Sequence, residues 1–241
     1  MLIMDGQVTN LSHVAATGVD AEVVCYTRPR LDEECDSEQG RLDMSATLTE
    51  RTRPPVPSQR LLTCADVLAL PESLPTGDVR YELDNGRLVI MAPPGDLHGA
   101  IQLNIGYELK RQGELAGHGK ARTEVGIVLW RDPDRLVGAD AAFVAKSSLP
   151  IAVTSDGYLE TIPDLVVEIR SRNDTLTELM DKARDYLTAG VRIVWLVDPP
   201  SRTVLAYCGQ SEPQQLGEND LLDAGDVIPG FRLTVADILQ P

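Results

Sequence analysis

Residues 163–170 read Pro163-Asp164-Leu165-Val166-Val167-Glu168-Ile169-Arg170. A short, nearly unbroken apolar run without polar alternation marks a strand buried on both faces. The next two segments decide the topology. Thr175 to Ala189 repeats Leu176, Leu179, Met180, Ala183 and Leu187 at helical spacing, and Gly190 stands where a helix ends in a left-handed residue. Val191 to Val197 is a second near-continuous apolar strand, closed by Asp198-Pro199-Pro200. Strand, helix, strand over this length implies a parallel pair joined by a crossover, and hence an α/β domain.

Upstream the signals are antiparallel. Val79–Leu83 and Arg87–Met91 flank Asp84-Asn85-Gly86, and Asn-Gly between two apolar-alternating runs is a strong hairpin signal. Thr63 can cap a short helix that runs to Leu70 and stops at Pro71. After Pro93-Pro94-Gly95, a helix from about Leu97 to Gln112 carries Leu97, Ile101, Ile105 and Leu109 as one apolar stripe, with Gly113 as its stop. Arg122–Trp130 alternates, Asp132-Pro133-Asp134 turns the chain, and Leu136–Val144 returns. Beyond Val204–Tyr207 the tail reads as short antiparallel strands and a closing turn.

Residues 1–58 differ. They are rich in Asp, Glu, Arg, Thr and Pro, and they end in Arg53-Pro54-Pro55-Val56-Pro57. Without an apolar period they are expected to be a disordered extension, with one domain over 59–241. Met44 would open a polar N-terminus of its own, so 1–43 are open to being a product of start-site choice.

Composition narrows the function classes. At 43% hydrophobic residues the 241-residue chain can bury a sizeable core. No apolar run reaches the roughly 18 residues of a membrane helix, so a cytoplasmic protein is expected. Cys25, Cys35, Cys64 and Cys208 are scattered with no Cys-x-x-Cys pair, which argues against a zinc site or a disulfide framework. Lys plus Arg is 22 and Asp plus Glu is 37, a net charge of −15. Phosphate neutralisation supplies most of a non-specific nucleic-acid binder's affinity. Any such site must therefore be a local basic groove or rely on metal ions.

Three side chains stand out. Glu168 lies mid-strand where burial is deepest, and a buried carboxylate is costly unless paired or metal-bound. Side chains two apart share a strand face, so a Glu168–Arg170 ion pair is the plain alternative. Asp140 sits in the small, apolar Gly138-Ala139-Asp140-Ala141-Ala142-Phe143-Val144. It either ends a turn or joins Glu168 as an oxygen ligand to a hard cation. Lys182 falls at the border of its helix's apolar stripe, one turn before Tyr186, and is either a snorkelling surface lysine or a group reaching over a strand end.

The whole order resembles the PD-(D/E)XK nuclease superfamily and, within it, the Uma-two family of restriction-endonuclease-like proteins. The residues that carry this are Tyr81-Glu82-Leu83-Asp84-Asn85-Gly86-Arg87-Leu88, His98 opening the helix, 138–144, 163–171, Lys182 to Tyr186, Ala189-Gly190-Val191 through Trp195-Leu196-Val197-Asp198-Pro199, and Pro229-Gly230-Phe231. The resemblance spans about 60–240. It implies a restriction-endonuclease-like core, a central mixed β-sheet flanked by helices, with an additional N-terminal β-hairpin.

It further implies metal-assisted phosphodiester hydrolysis, with DNA the first candidate partner and Mg²⁺, or Mn²⁺, as cofactor. Asp140 and Glu168 would hold the cation, joined by the main-chain carbonyl of Ile169. Arg170 stands where the superfamily motif has lysine, and an arginine stays charged and cannot act as a proton-transfer base. Lys182 would take the lysine's role, Arg170 would contact phosphate, and Glu82 matches a family position with either a catalytic or a structural role. Lys110, Arg111, Lys120, Arg122, Arg172 and Arg184 could form the basic groove or be scattered solvated charges. Two other readings stay open: a non-catalytic nuclease-fold module binding nucleic acid or a protein, and a homodimer formed through a sheet edge.

Overall fold

The computed structural model describes residues 60–240 except 76, 152–156 and 210, together with the backbone of 2–4 and 7–9. The short segments Leu2–Met4 and Gln7–Thr9 pair antiparallel. The rest of the predicted N-terminal extension, with Cys25, Cys35 and Met44, lies outside the described residues.

The main unit follows the predicted order: α1 (Cys64–Leu68), β1 (Arg80–Asp84), β2 (Arg87–Met91), α2 (Asp96–Glu108), β3 (Gly119–Trp130), β4 (Arg135–Ala145), β5 (Leu165–Ile169), α3 (Leu176–Ala189), β6 (Ile193–Asp198), β7 (Thr203–Cys208) and β8 (Gln214–Leu216). These eight strands form one mixed sheet in the order β8-β7-β6-β5-β4-β1-β2, with β3 also on β4, beside two short two-stranded pairings, Ser73–Leu74 with Gly77–Asp78 and Leu221–Leu222 with Leu233–Thr234. The β5–β6 pair is parallel; β4–β5, β6–β7 and β1–β2 are antiparallel.

Local chemistry accounts for the elements. The β1–β2 turn places Asn85 and Gly86 at φ 49° and 79°, the positive values a two-residue hairpin of this hand requires. Thr175 caps α3 in a reciprocal box with Glu178, and Gly190 ends it at φ 107°. Every residue of β5 and β6 is buried, as their apolar runs predict. The two sheet faces are covered separately. On one, Ile101, Ile105 and Leu109 of the α2 segment pack with Phe143, Trp195 and Phe231. On the other, Leu179, Ala183 and Tyr186 of α3 pack with Val137, Ala142 and Leu196.

Three details depart from the expectations. Leu97 is half exposed rather than part of the buried stripe, because α2 starts at Asp96 and its first turn overhangs the sheet. Gly113 does not stop the helix: the chain continues as a wider π turn over Leu109–Glu114. A Cβ on Gly113 would meet Phe143 at 2.5 Å, so this glycine permits close packing. Finally, β3 and β4 switch faces midway. Val137 and Ala139 pack under α3, whereas Ala141 and Phe143 pack under α2, so simple alternation fails across Asp140. The residue facing Asp140 on β3 is Glu124, between the pairs Thr123–Ala141 and Val125–Ala139, and it adopts φ 53°.

β4 is the pivot of the sheet. Along one edge it pairs with β3 throughout. Along the other it meets β5 over Ala141–Phe143 and β1 at Leu136, so residues 137–140 have no strand on that side.

Two glycine substitutions test this packing in opposite directions. A Cβ at Gly119 would lie 2.1 Å from the Val144 carbonyl oxygen, while one at Gly99 in α2 meets nothing within 4 Å. Gly119→Ala is expected to cost at least about 1–3 kcal/mol through overpacking. Gly99→Ala is expected to gain about 1 kcal/mol of helix stability. Urea unfolding of the two variants measures both.

Candidate active site

The opening between β1 and β5 is where the chemistry-bearing side chains gather. Backbone groups left without a strand partner need others, since buried N–H and C=O groups are almost always satisfied. Here side chains supply them. Glu82 on β1 accepts from the Gly138 amide at 2.8 Å. Lys182 on α3 donates to the Gly138 carbonyl at 2.8 Å, and Gln102 on α2 donates to the Asp140 carbonyl at 2.9 Å. Asp140 in turn accepts the Ile169 amide on its Oδ2 at 2.7 Å.

The register that pairs Ala141 with Val167 sets Asp140 opposite Glu168 when carried one step further. Lys182 Nζ lies 2.9 Å from Glu82 Oε1 and 3.1 Å from Glu168 Oε1. Tyr186, one turn on, donates its hydroxyl to Glu168. His98 Nε2 lies 2.9 Å from Asp140 Oδ1, and since an ionised carboxylate only accepts, this nitrogen carries the proton. Arg135 donates to Asp185 at 2.8 Å and approaches Glu82 at 3.9 Å.

The structure thus brings Asp140, Glu168, Lys182 and Glu82 into one cluster. Lys182 is not a surface lysine, with 15% of its side chain exposed. Arg170 is not among them. β5 ends at Ile169, so the next side chain leaves the strand face, and its guanidinium binds Asp198 at 3.0 Å and the Asp174 carbonyl at 3.2 Å. No Glu168–Arg170 pair forms. Sequence reasoning gives no role to Gln102 or Tyr186 and takes His98 as a helix opener only. Tyr186 succeeds Lys182 at the i+4 spacing that puts two side chains on one helix face. His98 and Gln102 carry the same relation, and that spacing is the signal in the sequence.

Burial and charge act together on the titrating groups. Burial pushes the Glu168 carboxyl up, and with Asp140 and Glu82 nearby it reaches about 8 despite Lys182 and Tyr186. Burial works against the Lys182 ammonium, but Glu168, Glu82 and Asp140 outweigh it and hold its pKa above the ordinary lysine value. Tyr186 is raised well above the usual phenol by burial and by Glu168, so it stays a donor. Burial lowers His98, yet the hydrogen bond to Asp140 and the charges of Asp140, Glu124 and Glu168 leave it raised overall. Its Nδ1 is the one buried side-chain polar atom without a hydrogen-bond partner among the described residues.

This donor set suits a hard cation. Glu82, Asp140 and Glu168 are buried carboxylates, and Lys182 is the one cation bound to two of them. Among the described residues no three His, Cys, Asp or Glu side chains are grouped to hold a metal by themselves. A cation held here would have few protein carboxylates as ligands and would keep water, a coordination that Mg²⁺ accepts. Of the six candidate basic residues, Lys110 and Lys120 bind Glu114, Arg111 binds Glu108 and Arg184 binds Asp181. Arg122 and Arg172 carry no ion pair among the described residues.

A mixed sheet with antiparallel β3–β4–β5, a parallel β6, a helix on each face and facing acids on β4 and β5 defines a nuclease-like α/β fold. A family model described as "Uma2: Putative restriction endonuclease" matches residues 65–236. The chain belongs to the Uma2 family. A crystal structure of "a putative nuclease belonging to DUF820 from Anabaena variabilis ATCC 29413" is similar, at 21% identity and TM-score 0.62, over 74% of this chain and 97% of that one. A cryo-electron-microscopy structure of a DrdV–DNA complex overlaps at 16% identity over 59% of this chain and 92% of that one, with a TM-score of 0.28. No curated protein matches. Among the described residues no helix is long and apolar enough to cross a membrane.

Two measurements probe the cluster. Lys182→Ala leaves Glu82 and Glu168 buried without their cation and is expected to cost about 3–5 kcal/mol in denaturant unfolding. Glu168 titrates near 8 in the folded protein against 4.5 ordinarily, so between those values the folded state holds a proton the unfolded chain has released. Stability therefore falls as pH rises through that window. In chelator, the thermal midpoint of the parent should drop relative to Glu168→Gln between about pH 5 and 8; parallel curves would contradict the raised pKa.

Proposed function

We propose that the domain is a metal-dependent endonuclease that hydrolyses phosphodiester bonds, with DNA as its substrate. The observation that carries this reading is the position of Lys182, held between Glu168, Glu82 and the Gly138 carbonyl at the opening of the sheet. Asp140 and Glu168, with the Ile169 carbonyl, would hold Mg²⁺ or Mn²⁺. Such an ion, when bound, supplies Lewis-acid polarisation of a phosphate oxygen and lowers the pKa of water.

The protein's own groups have separable tasks. Lys182, cationic under its carboxylate neighbours, stabilises negative charge as it develops on the phosphoryl oxygens and orients the attacking water. Glu82 holds Lys182 and the Gly138 amide together, so it positions the lysine. Tyr186 fixes the orientation of Glu168, and His98 that of Asp140, as outer partners of ligands do. Glu168 must give up its proton to serve as a ligand, so cation affinity rises with pH up to about 8. Arg170 is engaged by Asp198 at the end of β6 and contributes positive charge near the site's rim, where a phosphate could displace that carboxylate.

A non-catalytic binding module is the second reading. The net charge of −15 and the arginine at position 170 favour it. Single-turnover cleavage of DNA with Mg²⁺ and Mn²⁺ separates the two. The nuclease reading expects metal-dependent cleavage in the parent, and a loss of about 10²-fold or more in the chemical step for Lys182→Ala at a temperature where that variant is folded. It expects Arg170→Ala to weaken substrate binding more than the chemical step. Tight Mg²⁺ binding without hydrolysis of any DNA or RNA would sink the enzyme assignment.

A further inference from the structure

A groove of about 450 Å³ runs between α2 and β3, next to the carboxylate cluster. That volume lies in the range of small-ligand sites. Its helix wall presents Gln102, Leu103, Tyr107 and Lys110, and its strand wall presents Arg122 and Glu124. The groove and the candidate site share structure. Gln102 donates to the Asp140 carbonyl, and Glu124 is the β3 residue that faces Asp140. From Gln102 to Tyr107 the helix advances ~7.5 Å, about two nucleotide steps of a stacked strand.

The lining chemistry is unusual for this molecule. Leu103 and Tyr107 are 71% and 60% exposed, one helical turn apart on a helix whose other face is already buried in the core. Arg122 donates a hydrogen bond to its neighbour's carbonyl, that of Ala121, and has no ion pair among the described residues, where most of the other arginines have one. Glu124, the acidic member of the wall, is paired with Arg80. A groove lined by an exposed aromatic ring and by an arginine with no ion pair among the described residues matches the two needs of a nucleotide, a flat surface for the base and a planar donor fork for the phosphate.

We propose that this groove receives an unpaired nucleotide of the substrate strand beside the scissile phosphate, with its base on Tyr107 and Leu103 and its phosphate on Arg122. Lys110 at the far end is already paired with Glu114. The inference rests on the nuclease reading and narrows its substrate class to nucleic acid with a single-stranded, bulged or splayed element next to the cut. A second copy of the chain fits less well. A two-fold interface sets the same patch against itself, and nothing in the groove pairs the Arg122 of one copy with an unpaired acid of the other, since Glu124 is held by Arg80.

The test measures affinity by fluorescence anisotropy in Ca²⁺ for three labelled DNAs: a blunt duplex, the same duplex with a one-nucleotide bulge, and the single strand. Tyr107→Ala should weaken binding to the bulged and single-stranded DNAs by about 5- to 100-fold, the range of base–aromatic stacking, and leave the blunt duplex within about twofold. Tyr107→Phe should behave as the parent. Arg122→Ala should reduce the slope of log affinity against log salt by about one. Tyr107 is exposed, so melting curves should show an intact fold. If the parent cleaves DNA and Tyr107→Ala binds all three as the parent does, the groove assignment is overturned and the nuclease reading stands. If Tyr107→Ala instead converts a dimer to a monomer in sedimentation at unchanged DNA affinity, the groove is a self-association surface and the proposal fails. A parent that neither binds nor cleaves any of the three DNAs overturns both.

Discussion

β4 loses its strand partner between Leu136 and Ala141 on one edge, and the main-chain groups exposed there must be satisfied from elsewhere. Glu82 takes the Gly138 amide, Lys182 the Gly138 carbonyl and Gln102 the Asp140 carbonyl. The side chains that complete the sheet are thus the ones that form the candidate active site. Three elements are tied to β4 through them: β1 by Glu82, α2 by Gln102 and His98, and α3 by Lys182 and Tyr186. A site made this way is held rigidly, because moving any member also leaves a buried backbone group unpaired. It is also strained in charge, since three acids converge where one ammonium binds two of them. Burial first, and the nearby Asp140 and Glu82 second, raise Glu168 to about 8 against the pull of Lys182.

The protein's acidity bears on this only in part. A net charge of −15 opposes a polyanion at long range, yet salt screens exposed charges beyond about 10 Å at 0.1 M. What matters near the opening is which cations are free. Neighbouring glutamates and aspartates already hold Lys110, Lys120, Arg111 and Arg184. Arg122 has no such partner, and it stands on the strand that flanks Asp140. Local pairing, not the total, decides where a phosphate would be accepted.

Much of the fold is legible in the sequence because its signals are local. Asn85-Gly86 dictates a hairpin, Thr175 with Glu178 and Gly190 bound α3, and the apolar runs at 165–169 and 193–197 can only be interior strands. The acids at 140 and 168 stand out because each interrupts an apolar strand. Other features escape because they depend on distant partners. Tyr186 has no assigned role in the sequence, yet its hydroxyl donates to Glu168 and its ring is fully buried. Leu97 keeps the four-residue spacing of a buried stripe but falls where no sheet lies beneath it. The change of face across Asp140 cannot be seen in the alternation of 135–145, because small alanines fit either side. It takes the left-handed backbone of Glu124 on the partner strand to reveal it.

The face change also explains how one aspartate can serve two layers. Val137 and Ala139 pack under α3, whereas Ala141 and Phe143, which simple alternation would put on the same face, pack under α2, so Asp140 stands at the crossing point. One oxygen meets His98 from the α2 side and the other meets the Ile169 amide within the sheet. The same geometry bears on the lysine. A strand residue two places after Glu168 would share its face only while the strand continues. β5 stops at Ile169, so Arg170 turns to Asp198, and a cation for Glu168 has to come from another element. α3 packs over that face, and Lys182 sits one turn before Tyr186, which already reaches Glu168. A lysine on α3 is thus the shortest covalent route from the helical layer to the opening, and Glu82 from β1 fixes its end. An arginine at 170 then costs the cluster nothing, because that position does not face it.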